Sequence, residues 1–156
     1  QNKGMSMDEV FNSLQKKSGL LGISGKSNDM RRVQEAADDG DVRCQLAIEM
    51  FVSRCKMWSG GLLADMGRTD AIIFTGGIGQ FAKPIRARVC DRMQHLGVVL
   101  DEQANQAATG QAVERVSAAG SAVQVLVIAT NEELVIARGA ARIAAEQDQP
   151  INGSIA

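Results

Sequence analysis

A glycine-rich segment, FTGGIGQF at residues 74–81, is the part of the sequence best suited to bind a ligand. It follows an apolar run, and Gly76, Gly77 and Gly79 can take positive φ and let a ligand approach the backbone closely. Amide groups at a strand-to-helix turn point towards anions, so the segment favours phosphate or nucleotide binding. The spacing is neither G-x-G-x-x-G nor a Walker A sequence, and lysine is absent, so a tight turn without a ligand also fits.

A second candidate site, Thr130–Glu133, follows another apolar run. A carboxylate in this position, such as that of Glu132, is suited to Mg²⁺, which in nucleotide sites takes one or two carboxylates together with phosphate oxygens and water. Two acidic residues in a first helical turn also stabilise the helix dipole without any metal. Because ligands in open α/β sheets bind at the carboxyl ends of strands, we expect this segment and the glycines at one sheet edge.

The third candidate, Ser27–Arg31, supplies an amide, a carboxylate and a guanidinium. These groups suit ribose hydroxyls and the edge or face of a base. The same residues fit a helix cap with Arg31 in solvent, and the segment alone leaves that alternative open. DDGD at residues 38–41 lacks the bidentate Glu at the spacing that a calcium loop needs, so we predict a polar turn between helices there.

The composition of the 156-residue chain argues against several other functions. A formal net charge of −1 and a pI near 5.9 provide no basic surface for nucleic acid, and no apolar run is long enough for a membrane span. The single histidine, His95, has no visible acid–base arrangement around it. Cys44, Cys55 and Cys90 lack the spacing of a zinc site or a disulfide framework, so we expect reduced thiols in a cytoplasmic, single-domain protein.

Apolar residues at three- and four-residue steps predict helices in the first half of the sequence. S-x-x-E at residues 6–9 has the form of a capping box, and Asp41 can cap a long helix. Gly and Ser interleave with Leu and Ile at residues 18–31, which predicts a loop or a short extended segment. The predicted helices run from Ser6 to Lys17, from Asn28 or Asp29 to Ala37, and from Asp41 with an apolar stripe at Ala47, Met50, Phe51, Cys55, Trp58 and Leu62.

Two strand–turn–helix units predict the architecture of the second half. DAIIFT at residues 70–75 and AVQVLVIAT at residues 122–130 are apolar runs typical of strands buried on both faces. Repetition of the unit indicates an α/β fold with parallel strands and right-handed crossovers. Three helices are predicted here. The first starts at Pro84 and has apolar residues at Ile85, Val89, Met93 and Leu96. The second covers residues 103–108, and the third runs from the cap Asn131 to Ala145.

Three segments together resemble the C-terminal part of the acetate kinase family, the acetate and propionate kinases of the actin-like sugar kinase and Hsp70 fold. They are KSGLLGISGKSNDMR, DAIIFTGGIG and VLVIATNEELVIAR, and the resemblance runs from Met5 to Ala145. It implies an α/β fold that is part of an actin-like, ribonuclease H-like domain. It also implies that residues 1–156 are a C-terminal nucleotide-binding lobe whose acyl-substrate domain lies upstream and is absent here.

The resemblance further implies roles for individual residues. The adenosine part of ATP is contacted by the DMR segment, the nucleotide lies along the glycine segment, and the family's magnesium-ligating Glu matches Glu132. The family usually has Glu-Asn where this chain has Gln80 and Phe81, which changes the charge and bulk beside the nucleotide. The implied nucleotide-binding residues are Asp29, Met30, Arg31, Gly77, Ile78, Gly79, Gln80 and Phe81.

Two hypotheses follow from the residues and the resemblance. In the first, the intact protein is a homodimeric kinase that moves the γ-phosphoryl of ATP to acetate or propionate with Mg²⁺, giving an acyl phosphate and ADP. The family's catalytic residues lie upstream, so we predict no catalytic residue in this chain, and expect it to be inactive alone. The long helix from Asp41 is a candidate dimer contact. In the second hypothesis, the chain is a non-catalytic nucleotide-binding or dimerisation module.

Overall fold

The computed structural model describes residues 4–147, except for the side chains of Glu132, Glu146 and Gln147. Within this part of the chain, eight α-helices and a short 3₁₀ helix accompany one small mixed sheet. In chain order the elements are α1 (Met7–Lys16), α2 (Gly19–Ser24), α3 (Met30–Asp38), α4 (Val42–Met66), β1 (Ala71–Phe74), α5 (Gly76–Phe81), α6 (Lys83–Cys90), the 3₁₀ helix (Gln94–Leu96), α7 (Glu102–Ala107), β2 (Glu114–Arg115), β3 (Gln124–Val127) and α8 (Glu132–Gln147).

The sheet places the ends of the two predicted strands side by side. β1 and β3 pair in parallel with Phe74 opposite Val127, which confirms the predicted parallel pair. β2 pairs with β3 in the antiparallel sense, and its two residues carry no apolar pattern that would predict a strand. Among the described strands β1 lies at the edge, and Ile73 is 54% exposed, so the expectation that this strand is buried on both faces is wrong.

Two clusters of buried apolar side chains meet at Phe74, which packs against both. The first cluster is formed mainly by α3, α4 and α6, and the second by β3 and the segments around it. α6 belongs to both, because Ile85 and Val89 lie in the first cluster and Cys90 in the second. α6 therefore ties the helical side of the molecule to the sheet.

Side-chain caps begin several helices as predicted. Ser6 and Glu9 form a reciprocal capping box at the start of α1. Asp29 accepts a hydrogen bond from the backbone at the start of α3, and Asp41 accepts hydrogen bonds from the amides of Arg43 and Cys44 at the start of α4. These contacts involve residues two or three apart, which is why the sequence alone reveals them.

Residues 19–24 form the helix α2, which corrects the expected loop or extended segment. Leu20 and Ile23 pack against the first cluster, so burial outweighs the turn preference of the neighbouring glycines. The end of α2 is fixed from a distance: Arg43 donates from Nε and Nη2 to the carbonyl of Ile23 at 3.0 and 2.8 Å. Such a contact across 20 residues is invisible in a local pattern.

The glycine-rich segment is also helical, where a loop was expected. Of its glycines, Gly76 has a positive φ of 66° and turns the chain from β1 into α5. Gly77 and Gly79 lie within the helix. The helix after Pro84 is shorter than predicted and ends at Cys90.

One further prediction needs correction. Met93 and Leu96 do not continue α6, because Arg92 takes a φ of 60° and breaks the helix before the 3₁₀ turn. The residues of the predicted apolar stripe all lie in α4, and two of them, Trp58 and Leu62, are 67% and 56% exposed. The three cysteines are free, as expected.

Candidate functional site

A cleft of about 760 Å³ lies between the start of α3 and the segment formed by α5 and α6. Its size falls within the range of small-molecule sites, and most of the side chains around it are apolar. The cleft is lined by Asn28, Asp29, Met30, Arg31, Gln34, Gly77, Ile78, Phe81, Ala82, Pro84 and Ile85.

The cleft brings together two segments that the sequence singled out separately. Asp29, Met30 and Arg31 belong to its α3 wall, and Gly77, Ile78 and Phe81 belong to its α5 wall. Two other predicted residues, Gly79 and Gln80, lie in α5 but are not part of the lining. The side chain of Glu132, the predicted metal ligand, lies outside the described residues.

The α3 wall is organised by Asp29. One carboxylate oxygen accepts hydrogen bonds from the backbone N–H and Nε of Arg31 at 2.9 and 3.2 Å, and the other pairs with Nη2 at 2.8 Å. These hydrogen bonds, from the side chain first and then the backbone, lower the pKa of Asp29 to about 2, and the carboxylate raises the pKa of Arg31. Both groups are therefore charged at neutral pH, and the exposed guanidinium is held at the rim of the cleft.

The α5 wall combines backbone amides that have no side-chain cap with apolar side chains. Thr75 provides no side-chain cap for α5, and its hydroxyl donates to the carbonyl of Ile128 at 2.9 Å. The first amides of α5 consequently have no side-chain acceptor, and such amides suit an anion. Ile78 is half-buried and Phe81 is 55% exposed, so both apolar side chains can contact a ligand in the cleft.

The opposite side of α5 is buried. The side-chain amide of Gln80 donates to the carbonyl of Ile128 at 3.3 Å, at the end of β3. Arg86 of α6 is fully buried and donates to the carbonyls of Gly79 and Gln80. Arg86 could not be identified from the sequence, because a basic residue in an amphipathic helix is ordinarily solvated.

Several residues of the lining were not among the predicted site residues. Gln34 follows Arg31 by three positions and therefore lies on the same face of α3. Pro84 and Ile85 start the helix that follows the glycine segment. The helical spacing from the DMR segment could have revealed Gln34, whereas the position of α6 beside α3 is a tertiary feature.

Metal-binding and membrane-spanning features are absent from the described part of the chain. Among the side chains described, no three His, Cys, Asp or Glu residues are grouped closely enough to hold a metal ion. None of the helices within residues 4–147 combines the length and apolar character that crossing a membrane requires. The end of β3 lies beside the end of β1, so the residues that lead into α8 start at the same sheet edge as the glycine segment.

The chain is similar to known proteins over most of its length. A model of the acetokinase family matches residues 1–138. The acetate kinase of Heliobacterium modesticaldum is 42% identical over 143 residues, which are 92% of this chain and 35% of the relative. The acetate kinase of Chloroherpeton thalassium is 46% identical over 137 residues, which are 87% and 33% of the two chains. The chain spans about a third of the length of these curated relatives.

Solved structures agree with this similarity. The acetate kinase of Porphyromonas gingivalis superimposes with a TM-score of 0.82 at 35% identity, covering 91% of this chain and 35% of that one. The propionate kinase of Francisella tularensis superimposes with a TM-score of 0.76 at 40% identity, covering 88% and 34%. The predicted fold class, an α/β fold that is part of an actin-like domain, is confirmed.

Proposed function

The chain belongs to the acetokinase family, and from this premise we propose that it is the C-terminal nucleotide-binding part of an acetate or propionate kinase. In the whole enzyme, the γ-phosphoryl group of ATP would pass to the short-chain carboxylate, giving an acyl phosphate and ADP. The observation that carries the proposal is the cleft in which Asp29, Met30 and Arg31 lie together with Gly77, Ile78 and Phe81.

In this proposal the base of the nucleotide lies among the apolar side chains of the cleft. Met30, Ile78 and Ile85 line the cleft and can pack against a planar ring, and the exposed ring of Phe81 adds a stacking surface. The guanidinium of Arg31 is oriented by Asp29 at the rim and can stack on the ring from outside.

The ribose and phosphates lie along the polar parts of the same cleft. The carboxylate of Asp29 has lone pairs beyond those used by Arg31 and can accept a hydrogen bond from a ribose hydroxyl. Gly77 has no side chain and lets the nucleotide approach the backbone. The amides at the start of α5 bind phosphate oxygens, because α5 has no side-chain cap.

Glu132 is the proposed ligand of Mg²⁺. It is the first residue of α8 and follows β3, whose end is next to the end of β1 and the glycine segment. A single carboxylate fits this role, because Mg²⁺ in nucleotide sites completes its coordination with phosphate oxygens and water. When bound, the ion neutralises charge on the phosphates.

The acyl acceptor and the groups around the moving phosphoryl come, in this proposal, from the part of the family that this chain does not span. Phosphoryl transfer depends on positioning and on positive charge around the transferred group. In this proposal the cleft provides Arg31 at the base end and backbone amides at the phosphate end, and both are used for the nucleotide. We therefore expect this chain alone to bind ATP or ADP without transferring phosphate.

The alternative is a module that binds nucleotide and has no role in phosphoryl transfer. It is favoured by Phe81, whose exposed ring lies at the cleft in place of the small amide that the family resemblance implies. An acyl phosphate assay on the purified protein, preceded by native mass spectrometry for any second polypeptide, separates the two. Acyl phosphate formed by a complex with a second polypeptide supports the kinase, and a complex that binds nucleotide but forms no acyl phosphate supports the module.

Isothermal titration with Mg-ATP tests the placement of the nucleotide. We expect the unchanged chain to bind, and Arg31→Met to bind about fivefold more weakly because a stacking, charged contact is lost. The matched control is Arg32→Met, because Arg32 is the next residue and lines a separate polar cleft of about 440 Å³. Equal losses in both variants would contradict the proposed cleft, and no binding by the unchanged chain would contradict the function.

Self-association is a further part of the proposal. α4 exposes large apolar side chains, among them Met57, Trp58 and Leu62, over a helix of 25 residues. A homodimer that covers this face would remove them from water. Light scattering after size-exclusion chromatography should give twice the 16.6 kDa mass of the chain, and Trp58→Glu should shift it to the monomer.

A further inference from the structure

Arg86 in α6 is the largest fully buried side chain of the described residues. Among the side chains described, no carboxylate forms an ion pair with it. Its hydrogen bonds run from Nη1 to the carbonyls of Gly79 (2.9 Å) and Gln80 (2.7 Å), from Nε to Oδ1 of Asn105 (2.7 Å), and from Nη2 to the carbonyl of Asn105 (3.0 Å).

The partners of this buried cation are the ends of two helices. Gly79 and Gln80 lie in the last turn of α5, and Asn105 lies in the last turn of α7. Carbonyls in a last turn lack partners within the helix and carry partial negative charge, so one guanidinium satisfies both ends. Burial lowers the pKa of Arg86 and the charge of Glu114 opposes this effect. A guanidinium remains protonated in a protein, so burying it requires this full set of acceptors.

Other contacts hold the same side of α5. Gly110 has a φ of 74°, and a Cβ there would lie 2.6 Å from the carbonyl oxygen of Gln80. A Cβ at Gly79 would lie 3.0 Å from the backbone of Phe74 in β1. Together with the hydrogen bond from Gln80 to Ile128, these contacts fix the inner face of α5 against the sheet.

The outer face of α5 is the wall of the cleft. Gly77, Ile78 and Phe81 line the cleft and belong to the same six-residue helix that Arg86 holds. A helix this short moves as one body, so a shift of its inner carbonyls displaces the lining. We infer that Arg86 is a positioning residue for the nucleotide, acting through the carbonyls of α5. This inference rests on the proposed function of the cleft.

The test compares two identical substitutions in α6. Arg86→Met removes the four hydrogen bonds and keeps a long apolar side chain. Arg88→Met is the control, because Arg88 is half-exposed, approaches Glu49 at 4.0 Å and does not line the cleft. We expect the dissociation constant for Mg-ATP to rise about tenfold in Arg86→Met, as expected for lost hydrogen bonds to a charged group, and to be unchanged in Arg88→Met.

A second variant and a second readout separate positioning from general stability. Arg86→Lys keeps the charge but cannot form the forked contacts, so its affinity should lie between those of the unchanged chain and Arg86→Met. Amide hydrogen exchange at residues 76–81 should speed up in step with the loss of affinity. If Arg86→Met does not fold, the Mg-ATP affinity and the hydrogen exchange of Arg86→Lys are compared with those of Arg88→Met instead.

The outcomes distinguish the two proposals. Unchanged affinity in the folded Arg86 variants, with a loss of stability only, overturns the positioning role and leaves the nucleotide cleft intact. Absence of Mg-ATP binding by the unchanged chain overturns both. Weaker binding together with faster exchange in α5, and neither effect in Arg88→Met, supports Arg86 as the positioning residue.

Discussion

The two walls of the cleft are built in different ways. The α3 wall is held by contacts between neighbours, since Asp29 caps its helix and pairs with Arg31 two residues further on. The α5 wall is held from behind by Arg86 and Asn105, which come from two other helices. The first wall is exposed and charged, and the second is anchored in the interior.

Because the two walls are held differently, substitutions in them should affect different properties of the protein. Exposed charge pairs contribute little stability, because water screens them and the side chains lose freedom. Buried polar networks contribute much more when complete, and are costly when one member is removed. Substitutions in the α5 support should therefore reduce stability most, whereas substitutions in the α3 wall should act mainly on ligand affinity.

The largest expected effect is that of Asn105→Ala. Asn105 is fully buried, accepts from Arg86 and donates from Nδ2 to the carbonyl of Lys83 at 3.1 Å. Its loss leaves the guanidinium without one acceptor, which should lower the free energy of unfolding by about 3 kcal/mol. Urea denaturation measures this, with the exposed neighbour in Gln106→Ala as a control expected to change by less than about 0.5 kcal/mol. Equal changes would show that the buried network is unimportant.

Gly110→Ala should have the next largest effect. A Cβ at this positive-φ position would approach the carbonyl oxygen of Gln80 to 2.6 Å, so the backbone of α5 has to move. We expect a loss of about 2 kcal/mol in the free energy of unfolding, from strain and displacement together. Gly120→Ala is the matched control, because a Cβ at Gly120 meets no atom within 4 Å. If Gly110→Ala leaves the free energy of unfolding unchanged, α5 accommodates the added Cβ without strain.

Two substitutions of Asp29 divide its capping role from its pairing role. Asp29→Asn keeps an N-cap acceptor for α3 and loses the ion pair, whereas Asp29→Ala loses both. Both should weaken Mg-ATP binding about threefold, because Arg31 is no longer oriented, and Asp29→Ala should lower the melting temperature more than Asp29→Asn, because it also loses the cap. Asp70→Ala is the control, since Asp70 forms a similar exposed pair with Arg68 away from the cleft. Equal decreases of the melting temperature in both variants would assign the stability to the ion pair instead.

The smallest expected effect is a dependence of folding stability on pH that appears only at acidic pH. The folded chain lowers the pKa of Asp29 from 3.8 to about 2, so the unfolded chain takes up this proton first as the pH falls. The stabilisation by the ionised carboxylate is therefore fully present above about pH 4 and is lost as the pH falls through about 2. The stability difference between the unchanged chain and Asp29→Asn should follow this course in urea titrations. A difference that already changes near neutral pH would assign the effect to another group.

Several local features of the fold and of the α3 wall could be predicted from the sequence. The caps at Ser6, Asp41 and Asn131 were predicted because the donors lie two or three residues from the acceptor, and the structure has each of them. For α3 the sequence left Asn28 and Asp29 as alternatives, and the structure has Asp29. The two parallel strands were predicted from their apolar runs. The glycine and DMR segments were identified as one site only through the family resemblance, because the residues alone left each of them open.

Long-range contacts account for the errors. Residues 18–31 look like turns, and α2 forms there because Leu20 and Ile23 pack against α4 and Arg43 caps the end. Ile73 looks buried, and it is exposed because β1 lies at the edge of the described sheet. Each outcome depends on which surface another part of the chain covers.

The start of most helices, the two apolar strands and the chemical groups of the α3 wall could be predicted from the sequence, because these features depend on residues close together in the chain. Two features of α5 depend on the tertiary structure. Gly77 and Phe81 line the cleft, and the carbonyls of Gly79 and Gln80 accept hydrogen bonds from Arg86. The physical reason is that a buried guanidinium is stable only where folding brings enough acceptors around it, and those acceptors come from segments far apart in the chain.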